Sequence, residues 1–196
     1  ATAENILEKL NHEHLALTNV VKENAEAYGL EVETFKTYTT AKEVSKLVGI
    51  INNKEVILSS SKVEEVKSSL VSYVIDENLP IINLKDAQKT DIAELLIAEL
   101  AKDKDTTNKN INYLNEKITA VEVVRKDLIS KVTDKDILIS DAVNALEKIS
   151  KEFNELDAAK KLVVAEKFLD ARKISNGKVT GLNSFADVVA LLNSVK

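Results

Sequence analysis

The chain has 196 residues, 44% of them hydrophobic and 30% charged, with 32 acidic against 27 basic side chains and a net charge of −5. That is enough chain for one core or two small ones, and the balance excludes a disordered polymer. Neither Cys nor Met occurs, which excludes disulfides, thiolate catalysis and sulfur-bound zinc or iron clusters.

Residues 3–28 carry apolar positions at three- and four-residue steps: Ile6, Leu10, His14, Leu17, Val21, Ala25 and Tyr28. The spacing predicts one amphipathic helix ending at Gly29. "LEVETFKTYTT" is rich in Thr, Val and aromatics and predicts a strand. Thr40 with Glu43 three residues on is a capping box, opening a short helix over 41–48. "VGIINNKEVILSS" places two β-branched runs around Asn52-Asn53-Lys54, which predicts a hairpin. Ser61 and Glu64 form a second capping box before a helix over 62–77 that turns Val63, Val66, Leu70 and Val74 inward. Pro80 interrupts the chain, and "PIINL" suits a short strand.

From Asp86 to Lys173 there is neither Gly nor Pro, and the apolar spacing is helical almost throughout. Breaks are expected at "KDKDTTNKN", with Thr107 as a cap, at "VTDKD" and near Asp157. These give three or four antiparallel helices. Leu162, Val163, Phe168 and Leu169 are expected to point into their core. "SNGKVTG" predicts a turn or short hairpin over 175–181, and Ser184 with Asp187 caps a final helix. No repeat of fixed period and no sustained heptad run is present. The expectation is therefore a mainly α protein with a small β element (α+β). Residues 1–85 form a small α+β unit of helix, strand, helix, hairpin, helix and short strand. Residues 86–196 form an antiparallel helical bundle.

Sites with chemical potential are few. His12 and His14 flank Glu13, and on a helix two residues separated by one other point about 200° apart, so they share no ligand there. Glu31 with Glu33, Glu64 with Glu65, and Asp103 with Asp105 read as solvated surface charge. The oxygen-rich 103–110 segment lacks the turn Gly and the terminal Glu of a calcium loop. Ser59, Ser60 and Ser61 precede a helix, where hydroxyls serve local hydrogen bonds. "TFKTY" could offer an aromatic pair to a partner, although one buried and one wet face suffices to explain it. No nucleophile elbow and no Gly-rich phosphate loop occurs. No catalytic, cofactor-binding or metal residue is assigned, and no cofactor is expected.

The only arginines are Arg125 and Arg172, and charges alternate in sign, which argues against nucleic-acid binding. The longest apolar run, "DIAELLIAEL", is interrupted by glutamates, so membrane insertion is not expected. Absence of both sulfur residues favours an extracellular, surface or virion protein over a cytoplasmic one, since oxidation damages thioethers. A start at Ala1 fits removal of an initiator Met or of a leader. The expected function is a non-enzymatic structural or assembly protein acting through protein–protein contacts, with itself or others as partner, in a virion, surface layer, appendage or large complex. The alternative is a monomeric helical adaptor for one soluble partner. A third reading is an enzyme whose site is assembled from distant residues.

Overall fold

The computed structural model describes residues 2–105 and 107–196. It is 71% helical with one small antiparallel sheet near the C-terminus, so the mainly α class with a small β element holds. Within the first 85 residues, however, all the described regular structure is helical.

Helix α1 (Ala3–Leu10) starts at Thr2, whose hydroxyl accepts the Asn5 N–H, and stops at Asn11. The expected 3–28 helix is therefore broken. Residues 11–21 run as turns and extended chain, with Ala16 in the left-handed region at φ 48°. The physical reason is long-range. The Asn19 side chain donates to the Ser45 carbonyl at 2.9 Å, and the Asn52 amide donates to the Asn19 carbonyl at 2.7 Å. Tyr28 Oη accepts the Val21 N–H at 2.9 Å and donates to Asn52 Oδ1 at 2.6 Å. These bonds satisfy backbone groups that a helix would otherwise have paired internally.

A 3₁₀ turn (Lys22–Asn24) leads into α2 (Ala25–Leu30) and α3 (Val32–Phe35). The strand expected over 30–40 is thus helical at its start, and Gly29 lies inside α2 instead of ending a helix. Helix α4 (Ala41–Ser59) opens on the expected capping box, with the Glu43 N–H on Thr40 Oγ1 at 3.2 Å and the Thr40 N–H on Glu43 Oε2 at 3.0 Å. It then continues through the segment expected to be a hairpin. Leu47, Ile50, Ile51, Lys54 and Ile57 are all buried, and burying that one face outweighs the modest helix penalty of β-branched residues. Asn52, read as a turn residue, is instead the helix's grip on the 11–21 segment.

Helix α5 (Val63–Glu77) buries Val66, Leu70, Tyr73 and Val74 and ends on Asn78 at φ 53°, a left-handed cap. Its N-cap is Lys62, and the Ser61 box does not form. Ser60 Oγ accepts the Lys62 N–H and donates to Glu65 in its place. Pro80–Asn83 is a 3₁₀ turn with Pro leading it, not a strand.

Helices α6 (Asp86–Leu100) and α7 (Ile111–Thr133) follow. Residues 102–110 connect them, with Thr106 outside the described residues. Thr107 bonds Asp105, and Asn110 Oδ1 accepts the Tyr113 N–H at the start of α7. Then come α8 (Ile139–Ile149), α9 (Lys151–Asn154) and α10 (Ala158–Ala171); the last begins at the break expected near Asp157, whose side chain caps it. Strands β1 (Lys173–Ser175) and β2 (Lys178–Thr180) pair Lys173 with Thr180, Ile174 with Val179 and Ser175 with Lys178. Asn176 and Gly177 form the two-residue turn at φ 51° and 73°, the doubly left-handed geometry that matches strand twist. The Ser184–Asp187 box opens α11 (Phe185–Val195).

The chain forms two compact units, and they do not follow a single cut after residue 85. Residues up to Leu84 group with Ile92–Val121, and Lys85–Asp91 groups with Glu122–Lys196. The first unit's core joins α1, α2, α4 and α5 to Ile92, Leu96, Leu114 and Ile118. The second is built on Leu128, Val132, Leu146, Phe153, Phe168 and Leu192. Leu162 and Val163 do not join it. They stay about half exposed, and Val164, Ala165 and Phe168 face inward instead.

Candidate partner-binding groove

In the first unit, α1, Leu15, α3 and the start of α4 enclose a groove of about 230 Å³. Because the chain leaves helical form after Leu10, Leu15 turns back toward α1 and closes one side. Ile6, Leu10, Leu15, Val32, Phe35 and Val44 supply an apolar lining, and Asn5, Lys9 and Lys36 its polar edge. Asn5 and Lys9 are one helical turn apart and share a side of α1. Lys36 pairs with Glu33 at 2.5 Å, with both side chains mostly exposed. The lining carries two ammonium groups and one amide, but no carboxylate, imidazole or hydroxyl. Such a set can hold apolar side chains and attract anionic neighbours.

Phe35, from the "TFKTY" stretch considered for partner contact, is half-buried in this groove, while Tyr38 packs on the core. Ile6 and Leu10 read only as positions on the apolar stripe of one long helix, and nothing in the sequence marked the groove itself, because α1, Leu15 and α3 meet only through the break after Leu10.

The structure places the remaining candidates as follows. His12 and His14 are not on a helix, and their ring centroids lie 4.9 Å apart. Helical geometry therefore does not separate them, although His12 Nδ1 is taken up locally by the His14 N–H. Glu31 is buried, and its Oε1 accepts the Ile111 N–H at 2.6 Å, so it caps α7 and does not sit in solvent. Glu33, Glu64 and Glu65 are exposed and face lysines. Hydrogen bonds from Lys62 and then Ser60 hold the Glu65 carboxyl below its ordinary range. Ser59 Oγ donates to the Glu55 carbonyl in its own helix.

Asp103 accepts the Tyr113 hydroxyl at 2.7 Å and the Asp105 N–H, and both lower its pKa. Asp105 is lowered by the Thr107 N–H and hydroxyl. The Tyr113 phenol is pushed up to about 12 by burial and by the Asp103 bond, and Lys109 and Lys117 each lie 5.6 Å from its ring centroid. Among the described residues no group of three or more His, Cys, Asp or Glu is placed to hold a metal ion.

Both arginines are internal. Arg125 bonds Glu122 through Nε at 2.7 Å and lies 3.9 Å from Asp91, whose Oδ1 accepts the Phe185 N–H at the start of α11. Arg172 donates to the carbonyls of Val132 and Asp134 at 3.0 and 2.7 Å, closing the C-terminal end of α7. Among the described residues no helix is long and apolar enough to cross a membrane. Comparison of the chain with protein-family models, with curated proteins and with solved structures found no match.

Proposed function

We propose that this chain is a non-enzymatic structural or assembly protein that works through protein–protein contacts, as a component of a larger complex such as a virion, surface layer or appendage. The observation that carries this reading is the groove of α1, α3 and α4: six apolar side chains form one continuous hollow edged by Lys9 and Lys36. A concave apolar surface with a charged edge takes side chains from another protein and sets their register electrostatically. Its polar groups are suited to orienting a partner, not to proton transfer.

The same groove supports a second reading, a monomeric adaptor that receives one helix of one soluble partner. Size-exclusion chromatography with light scattering on the wild-type chain separates the two. An assembly component shows a mass that climbs with concentration. A constant monomer mass up to the solubility limit ends the assembly reading and leaves the adaptor.

A further inference from the structure

Helix α10 turns an aliphatic ridge to solvent. Leu162 and Val163 are 47% and 50% exposed. At about 100° per residue, Ala159 one turn before them and Glu166 one turn after lie on the same side, with Asp170 a turn further on. All of these are exposed. Among the described residues neither the Glu166 nor the Asp170 side chain has an ion pair or hydrogen bond, and the same is true of the Lys9 side chain at the groove. Lys36 has only its solvent-exposed pair with Glu33, the kind of pair that contributes little.

Ridge and groove are therefore complementary in two respects. One presents two aliphatic side chains and the other an apolar hollow. One is followed by two uncommitted carboxylates and the other is edged by two ammonium groups. The charged residues lining the groove are both cations, on a chain in which acids outnumber bases, 32 to 27.

Resting on the assembly reading above, we infer that the groove's occupant is a second copy of this chain. Leu162 and Val163 of one copy seat against Ile6, Leu10 and Phe35 of the next, with Glu166 and Asp170 facing Lys9 and Lys36. The two contact surfaces differ, so the interface is head-to-tail. A pair of copies still has one free groove and one free ridge, so growth continues into a filament or closes into a ring. The apolar contact is small, so association is weak in solution and strengthens at low salt, where the carboxylate–ammonium attraction is less screened.

The test uses light scattering on the full chain and two variants with solvent-exposed substitutions. One is Leu162→Ser with Val163→Ser, and the other Lys9→Glu with Lys36→Glu. Circular dichroism checks that both keep the wild-type helix content, and Leu162→Ala with Val163→Ala and Lys9→Ala with Lys36→Ala serve as milder replacements. The wild type is expected to gain mass with concentration. Each variant alone is expected to hold the 21.6 kDa monomer mass. An equimolar mixture is expected to form a one-to-one pair and nothing larger, because only one intact ridge and one intact groove remain. A wild type that stays monomeric overturns this inference and the assembly reading together. Wild-type association that neither variant weakens overturns this inference alone. So does a mixture that remains monomeric.

Discussion

Lys54, fully buried on α4, donates its ammonium to the backbone carbonyl of Lys109, 2.7 Å away and just ahead of α7. The same nitrogen meets Glu55 Oε1 at 2.6 Å. Around it, Glu31 accepts the Ile111 N–H and Tyr73 donates to Asn115 Oδ1 at 2.7 Å. Three buried polar side chains, from α4, from α5 and from the junction between α2 and α3, thus fix the start of α7. Truncation by Lys54→Ala leaves a cavity and an unmet carbonyl, and is expected to cost about 3 kcal/mol or more. Lys54→Met keeps the volume and leaves chiefly the carbonyl unmet, for about 1–3 kcal/mol. Urea denaturation of both variants checks the order, and equal stability of all three proteins would refute the anchoring role.

The guanidinium of Arg172 meets the last turn of α7 and the residues after it, with Nη1 on the Val132 and Asp134 carbonyls and Nε on Leu169. A lysine has one nitrogen and cannot span these acceptors. Arg172→Lys is expected to lose about 1–2 kcal/mol and Arg172→Ala about 2–3 kcal/mol. Thermal unfolding followed by circular dichroism reads both. A lysine variant as stable as the wild type would show that the fork geometry is irrelevant.

Tyr28→Phe removes the acceptor for the Val21 N–H and the donor to Asn52. The Val21 amide should then exchange with solvent about tenfold faster or more, with little change on α5, because the bond ties down only the extended segment. Hydrogen exchange with residue resolution is the readout. Unchanged protection at Val21 would mean that neighbouring contacts, not the phenol, hold the segment.

Three tyrosines make the fold sensitive to alkali. Burial raises the Tyr28 phenol, and burial with the charges of Glu77 and Glu31 raises that of Tyr73. Tyr113 is pushed up to about 12. In the unfolded chain these phenols ionise near their ordinary value of about 10. Above that pH the folded chain holds more protons than the unfolded one, so stability falls as pH rises. It is fully present below about 10 and is lost progressively through about 12 and beyond. Urea midpoints measured across this window should decline, and Tyr113→Phe should decline less steeply. A flat wild-type profile would contradict the assignment.

Much of the fold was legible where a local rule decides the outcome. The Thr40 and Ser184 boxes, the break near Asp157 and the Asn176-Gly177 turn each depend on residues within four positions. The 49–60 segment misled because its local and helical patterns compete. Its β-branched runs suggest strands, and the stripe that makes it a helix passes through Lys54, a residue that rarely occupies a core. The break after Leu10 had no local mark at all. It depends on Asn52 and Tyr28 bonding to Asn19 and Val21, a pairing no periodicity encodes. The groove was therefore invisible apart from Phe35. The ridge was misread for a simpler reason: on α10 two adjacent apolar pairs, Leu162-Val163 and Val164-Ala165, compete for one inward face, and spacing alone does not say which pair wins.

The way the two compact units share the chain has a practical outcome for anyone cutting the gene. Residues Lys85–Asp91 belong with the C-terminal unit and Ile92–Val121 with the N-terminal one, so the polypeptide changes owner three times. A fragment ending near residue 85 would lack Ile92, Leu96 and Leu114, on which its own interior relies. The complementary fragment would carry those greasy positions with nothing to cover them. Neither half is expected to be recovered as a well-behaved product, and co-expressing the two pieces should rescue both.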